Sequence, residues 1–495
     1  MNISRRWFIG GAASMGALQG CKVFTDSMGL FRSGQPNVKF GVISDVHLIC
    51  ANTDTGRGGN TRTLDHTLRW FDEQGVDGIV VAGDIADAGL VSELQLFADS
   101  WFKAFPNNRS SIDGRKVERV VVLGNHDWEG FAYNYDVFGR KSNTLRDDWI
   151  RDFGLKKTWD RLFNEEYSPV FKKTIKGYDF IGAHWDGDAG ADWSGMHAIK
   201  PWFEKNSSSI DPSKPFFYVQ HPHPKNTCYG AWAWGRDGGV STETLSKFPN
   251  AVAFSGHSHY SLTDERTIWQ GAFASLGTGS LRYSCPNNDQ FAAEGGFENS
   301  PGSTNANPES EKTLPKMRTS DGRNGMLVSV FDDCTVFRRR DFRHDADLGP
   351  DWVMPNITTG EKPFAFAERA RKSIAPQFDA HAVVKAEIGE TYTRGAKEGV
   401  KTPSVNVSFP AVTRTFKSQA WRYDIVAEGE DGKVVAKKRL MAPAFHLPYT
   451  LAEKNCSLAF LRSKLPKGRK LRFVVTPYDC FGNAGKQIKS DFIAL

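Results

Sequence analysis

Between Val38 and Phe342 short apolar runs alternate with segments in which apolar residues return every three or four positions. VKFGVIS, GIVVA, VVVL, FFYVQ and AVAFS are short and almost wholly apolar, which predicts strands buried on both faces. After the first, Leu64, Leu68 and Phe71 recur at helical spacing; after the second, Leu90, Leu94, Phe97 and Trp101 do so. Strand, loop, helix, strand is the βαβ pattern, so residues 36–345 are expected to form an α/β domain with helices covering its sheets. YDFIGAH, AFASLG and MLVSVF read as further strands, and the polar stretch between Ser284 and Gly325 as a long surface insertion or lid.

The pattern then changes. Residues 346–376, with prolines at 350, 355 and 363, read as a mixed connector. Beyond it, SVNVSF, WRYDIVAEGEDGKVVAKKRL, CSLAFLR and KLRFVVTPYD are strand-like and separated by turn residues, which predicts an all-β antiparallel sandwich over residues 377–495. The run from Leu471 to Asp479, followed by Phe481-Gly482-Asn483, resembles the penultimate strand and turn of fibronectin type III domains, within the immunoglobulin-like class of sandwiches.

Composition adds limits. A chain of 495 residues, 40% hydrophobic and 24% charged, is globular and too long for one ordinary core. Its net charge of +6 is small, and the triplets Arg338-Arg339-Arg340 and Lys437-Lys438-Arg439 lie in strand contexts as solvated faces, so nucleic acid is not expected as a structural partner. Ser4-Arg5-Arg6-Trp7-Phe8-Ile9-Gly10 resembles a bacterial twin-arginine export signal. Leu18-Gln19-Gly20-Cys21 resembles a lipoprotein cleavage box with Gln19 as an imperfect match, so lipidation of Cys21 and simple cleavage are both open. The expected location is across the bacterial inner membrane, periplasmic or tethered to the cell envelope. The remaining cysteines lack the close spacing of a structural zinc site, and Cys456 with Cys480 is the one disulfide pair suggested.

Each of the five buried-strand runs ends in metal-binding residues: Asp45-Val46-His47, Gly83-Asp84, Gly124-Asn125-His126-Asp127, His221, and Gly256-His257-Ser258-His259. Asp45 and His47 are two apart, so on an extended strand end they point the same way and can share one ion. Two divalent cations about 4 Å apart repel by ~4 kcal/mol even in water, so a dinuclear site needs an anion between them. Asp84 at the tip of its strand is the natural bridge. Asn125 offers a neutral oxygen, and His221, His257 and His259 offer nitrogens suited to Mn, Fe or Zn.

DxH, GDxxD, GNHD, a strand-terminal His and GHxH, in this order, resemble the calcineurin-like metallophosphoesterase superfamily over about residues 38–345. The resemblance implies a metallophosphoesterase fold with mixed β-sheets flanked by helices, and two divalent or trivalent metal ions. It implies that Asp45, His47 and His259 hold the first metal, that Asp84 bridges, and that Asn125, His221 and His257 hold the second. It assigns His126 to the substrate phosphate and to protonation of the leaving oxygen, and Asp127 to orienting His126. The reaction implied is hydrolysis of a phosphate mono- or diester by a metal-bridging hydroxide. An alternative is an exported surface-binding protein with an inert phosphoesterase-like domain.

Several positions carry two readings. Asp87 stands where purple acid phosphatases place a tyrosine, so a tyrosinate-bound ferric ion is not expected; Asp87 orients a metal-bound histidine or caps a helix. His223 competes with His221, which is favoured because it directly ends the strand. His184 and Asp186 line the phosphate pocket or are structural. Trp232 and Trp234 form an aromatic wall for a base or sugar, with Arg236 meeting a second anion, or they pin their loop to the domain. His66 is expected to face solvent. Specificity is expected in the loops around 51–62, 128–145, 225–240 and 284–325.

Overall fold

The computed structural model describes residues 34–49, 61–128, 154–185, 196–285, 296–299, 322–356, 360–392, 400–415, 417–451 and 454–495, with the short strands β1 (Thr25–Asp26) and β2 (Gly29–Leu30). Residues 1–21 (expected to be an export signal), Cys50, Asp186 and most of the expected 284–325 insertion lie outside the described residues. The chain divides into two compact units, Met1–Gly34 and Gln35–Leu495. In the first, β1 and β2 pair antiparallel. Everything below concerns the second.

Two sheets face each other, with helices on their outer sides. β3 (Val38–Ile43), β4 (Gly78–Ala82) and β5 (Glu118–Val122) run parallel. The second sheet holds β6 (Val170–Ile175), β7 (Tyr178–Ala183), β8 (Phe216–Val219), β9 (Ala251–Ser255), β10 (Ile268–Gln270) and β11 (Ala274–Gly277), in the order β10-β11-β9-β8-β7-β6. β12 (Asn324–Val330) and β13 (Cys334–Asp341) return the chain to the first sheet, antiparallel beside β3. β14 (Ala346–Asp347) and β15 (Trp352–Pro355) then both pair with β13. The expected connector therefore opens as sheet: its prolines end a strand or fall between strands, where no ladder amide is needed.

Strand alternation explains the layers. Val38, Phe40 and Val42 of β3 point between the sheets, where Phe40 meets Phe180 and Phe217 edge-on at 4.9 and 4.7 Å. Ile43, Ile79 and Val81 point outward against α1 (Arg62–Glu73) and α2 (Val91–Ala104), which supply Leu64, Leu68, Phe71, Leu94 and Phe97. α1 approaches closely because residue 41 is glycine: a Cβ there would lie 2.6 Å from the Phe71 ring. On the far side α3 (Leu155–Phe163) packs with α2, while α4 (Ile199–Asn206) and α5 (Val240–Leu245) cover Ile181, Phe216, Tyr218 and Ala253 of the second sheet. Both faces of each central strand are thus buried, as their uninterrupted apolarity requires.

After α6 (Phe366–Lys372) comes an all-β sandwich. β16 (Lys385–Thr391), β17 (Thr402–Pro410) and β20 (Asn455–Leu461) form one sheet. β18 (Arg422–Gly429), β19 (Val434–Met441), β21 (Lys470–Tyr478), β22 (Ile488–Lys489) and β23 (Ile493–Ala494) form the other. Val405, Val407 and Phe460 close against Ile425, Phe473 and Val475 to make its core. Cys456 and Cys480 are both buried in that core with no bond between them, so the suggested disulfide does not form. Among the described residues no helix is long and apolar enough to cross a membrane.

The sandwich is fastened to the segment that follows the GHSH motif. Arg266, buried, forms a bidentate pair with buried Asp264, and its guanidinium lies 4.4 Å from the ring centroid of Trp421. Gln419 Nε2 donates to the carbonyl of Thr263 at 2.7 Å. Part of the insertion is also held: Phe297 packs on Trp421, and Asn299 exchanges two 2.9 Å hydrogen bonds with the backbone of Met441. Removing Asp264 would strand a buried cation, so Asp264→Ala is expected to cost about 3–5 kcal/mol. Urea unfolding would read this as a lowered midpoint; a loss under about 1 kcal/mol would show that Arg266 reaches solvent or another anion.

Candidate metal centre

The donors leave the sheets at the carboxyl ends of five strands. β3, β4 and β5 deliver Asp45, His47, Asp84, Asn125 and His126, while β8 and β9 deliver His221, His257 and His259. Expectation and structure differ on conformation. Asp45 and His47 are not extended: both lie in the left-handed region, at φ +49° and +46°, as do Asp84 (+51°), His257 (+70°) and His259 (+55°). Each such residue costs of order 1–3 kcal/mol. Local hydrogen bonds hold the strained turns: Asp45 N to Gly83 O at 2.9 Å, His47 N to Asp84 O at 3.0 Å, and Gly256 N to His221 O at 2.9 Å. Gly83 is indispensable, since any Cβ at residue 83 would run into the His221 imidazole.

The donor atoms converge in two groups that share Asp84: Asp45, His47, Asp84 and His259 in one, Asp84, His221 and His257 in the other, each within 4.8 Å. His259 Nε2 lies 3.0 Å from Asp45 Oδ1 and 3.1 Å from His47 Nε2. His221 Nε2 lies 3.0 Å from Asp84 Oδ2 and 3.1 Å from His257 Nδ1. Ring nitrogens 3.1 Å apart are within hydrogen-bond distance of each other, and a metal ion would take up the lone pairs of both. Asn125 is buried, and its Oδ1 has no hydrogen-bond partner. A buried amide oxygen without a donor is costly unless something else occupies it, and a metal ion fits. Imidazole nitrogens, carboxylates and one amide oxygen suit Mn, Fe or Zn.

Further groups aim these donors. Asp87 Oδ1 lies 3.0 Å from His47 Nδ1, so Asp87 orients that histidine. His221 Nδ1–H donates to the carbonyl of Ala82 at 2.7 Å, which turns Nε2 inward. His126 Nδ1–H donates to the backbone carbonyl of Asp87 at 2.7 Å, and its ring meets His47 edge-on at 4.6 Å. Asp127 does not orient His126. Its fully buried carboxylate instead accepts the backbone amides of Ile85, Ala86 and Gly124 at 3.0, 2.7 and 2.7 Å, bracing the Asp84 loop against the Asn125 loop.

The other candidates separate cleanly. His223 stays out of the donor groups, held between Ser255 Oγ at 2.7 Å and Ser258 Oγ at 2.6 Å. His184 is structural: Nδ1 accepts the amide of Leu123 at 3.1 Å among Trp159, Tyr167 and Phe171, and burial lowers its pKa to about 3. His66 is partly covered and pairs with Asp345 at 2.7 Å rather than facing solvent alone. Trp232 and Trp234 are exposed, and Arg236 Nη1 donates to the carbonyl of Ala231 within their loop. Tyr283 and Trp185, which motif reading passes over, stand beside the centre: Tyr283 lies 4.2 Å from the His259 ring and Trp185 6.5 Å from that of His257. No local pattern marks either one.

Electrostatics follow from burial. Burial alone would raise the carboxyls of Asp45 and Asp84, yet His259 beside the first and His221 beside the second hold both down, Asp84 well below the usual carboxylate range. Burial pulls His221 down, but Asp84 and Asp45 outweigh it and push its pKa up to about 9. Burial and His221 lower His257 to about 3. Burial and the Asp84 charge push Asp127 up to about 7 against its amide donors.

Residues 38–261 match the calcineurin-like phosphoesterase family. Among solved structures, a dimetal phosphatase from Danio rerio is similar at 9% identity and a TM-score of 0.37, over 65% of this chain and 100% of the other. A purple acid phosphatase from yellow lupin (Lupinus luteus) seeds is similar at 13% identity and a TM-score of 0.39, over 65% of this chain and 55% of the other. No curated protein matches.

Because the raised pKa of His221 keeps it protonated below about pH 9 in the metal-free protein, an incoming ion must displace that proton. Metal affinity is therefore expected to rise by up to about tenfold per pH unit from neutrality and to level off near pH 9. Competition with a chelator across that range measures it. A flat profile would place the proton elsewhere.

Proposed function

We propose that the chain hydrolyses a phosphate mono- or diester at a centre of two metal ions. The observation that carries this reading is Asp84, whose carboxylate belongs to both donor groups. A shared anion is what two adjacent cations require, given their mutual repulsion of ~4 kcal/mol at about 4 Å in water. Asp45, His47 and His259 would hold one ion, Asn125, His221 and His257 the other. Such ions supply Lewis acidity toward a phosphoryl group and activate water near neutral pH.

The chain's own residues supply position and proton. The backbone N–H of His126 donates to Asp84 Oδ1 at 2.8 Å, which occupies that oxygen while Oδ2 faces the His221 and His47 imidazoles. The bond from His126 Nδ1 to the Asp87 carbonyl makes Nε2 the nitrogen that gives or takes a proton at a leaving oxygen. Asp87 thereby serves two histidines: its carboxylate holds His47 and its carbonyl holds His126. Asp127 contributes by fixing the loops of Asp84 and Asn125 at a constant separation.

Asp84→Asn is expected to abolish turnover and loosen both metals, whereas His126→Ala keeps them and slows hydrolysis about 10²–10⁴-fold. Elemental analysis with initial rates on aryl phosphate mono- and diesters, after chelation and metal return, reads both. Wild-type rates in Asp84→Asn would end the two-ion reading, and metal loss in His126→Ala would make that residue a ligand.

The reading extends to an exported enzyme, on the strength of residues 4–21 alone. Replacing Arg5 and Arg6 by lysine is expected to retain the protein inside the cell, and Cys21→Ser to abolish labelling by a radioactive fatty acid. Fractionation and labelling of expressing bacteria test each; export of the Lys-Lys variant would remove the twin-arginine assignment.

A further inference from the structure

Trp234 and Tyr283 expose 54% and 38% of their surface beside the donor groups, against His257 and His259. Large aromatic area left in water is unfavourable, and neither ring is needed to hold a metal ion. Their placement is specific. The Trp234 indole lies flat on the His257 imidazole, with ring centroids 4.7 Å apart and planes 4° from parallel. Tyr283 tilts over His259 at 4.2 Å and approaches His47 at 6.4 Å. One aromatic ring thus caps each of the two donor groups.

The loop presenting Trp234 is built to stay where it is. His223 N donates to Gly235 O at 2.9 Å, Asp237 N to His223 O at 2.8 Å, and Trp234 N to the Tyr260 hydroxyl at 3.2 Å. The Asp237 carboxylate gathers the amides of Lys225 and Gly239 at 3.0 and 2.9 Å. Gly235, at φ +71°, lets the backbone lie directly against His257, where any side chain would collide with that ring. Buried Tyr229, also left-handed at φ +59°, anchors the start of the loop through its amide to Arg266 O at 2.9 Å. With one face of the indole on His257, the opposite face is the surface that a bound molecule meets.

Resting on the phosphoesterase reading above, we propose that Trp234 is a stacking platform for a flat aromatic group carried by the phosphoester, a nucleobase or an aryl ring. Tyr283 borders the same mouth from the other donor group. A phosphoryl group seated over the shared Asp84 directs its ester substituent to this rim. A ring is favoured there over an alkyl or glycerol substituent because only a flat π-face matches the open indole plane.

Binding of non-hydrolysable phosphonates to the metal-loaded protein tests this without requiring turnover. Isothermal titration of phenylphosphonate, methylphosphonate and an adenosine phosphonate is expected to show both aromatic ligands binding at least about tenfold tighter than the methyl compound, in keeping with the usual worth of one aromatic stack. The stronger of the two identifies the ring as aryl or nucleobase. Trp234→Ala is expected to collapse that advantage to within about twofold, and Trp234→Phe to restore part of it. Trp234→Leu keeps an apolar cover over His257 without a flat face, so it reports on stacking where the alanine variant sheds metal. Equal binding of all three phosphonates to the wild-type protein, or an advantage that survives in the leucine variant, overturns the proposal. Failure of the phosphoesterase reading looks different: the aromatic advantage persists while no ester in the panel is hydrolysed.

Discussion

Asp45 and Asp84 are carboxylates removed from water, and the positive charge that holds them ionised comes from imidazoles, not from lysine or arginine. Burying an ionised carboxylate is prohibitively unfavourable unless positive charge accompanies it. The surrounding architecture answers that demand. Five strands from two facing sheets end at one edge, three histidines from the second sheet lean toward two aspartates from the first, and every imidazole offers a ring nitrogen to the same small volume. Metal ions would complete a balance that the imidazoles begin.

Meeting that demand strains the backbone. Five of the donor residues occupy left-handed conformations that non-glycine residues avoid, and the strain is distributed over a lattice of amide contacts. Asp127 is the clearest example of how the lattice works. Three amides from two loops close on one carboxylate, so the turn carrying Asp84 cannot move without the turn carrying Asn125. Ser44 adds another tie, donating to the Asp45 carboxylate while receiving a 2.6 Å hydrogen bond from Thr278. Rigidity around the donors comes from hydrogen bonding within the loops rather than from the hydrophobic core beneath them.

Which parts were legible in the sequence follows from how local each signal is. Asp84, His221 and the GHSH pair announce themselves because a polar donor directly follows an apolar strand, and strand ends in such folds gather at one edge. The α/β layers were legible for the same reason. Roles set by contacts across the fold were not. Asp127 follows His126 in sequence yet serves backbone amides around residue 85, which no spacing rule indicates. The sequence around Asp87 fits a helix cap as well as a histidine partner, and only the contact with His47 Nδ1 across the fold separates the two. His184 follows an apolar strand like the donors but is satisfied by Leu123 N, and His66, on an outward helix face, is paired with Asp345. The tail of the first sheet was hidden because β14 and β15 are short and proline-bounded, and Cys456 and Cys480 share a domain without sharing a bond.

The attachment of the sandwich has a consequence for how such a chain can change over generations. Asn299 is stitched to the end of β19, Phe297 fills space beside Trp421, and Arg266 lies across that same indole. Cys285, whose amide donates to the carbonyl of His259, is held by the first fold, while Phe297 and Asn299 are held by the second. Shuffling the sandwich as a cassette, or deleting it, would release Phe297 and Asn299 and strip the Trp421 ring from the Arg266 guanidinium. Changes at Phe297 or Asn299 and changes at the end of β19 would consequently have to accommodate one another.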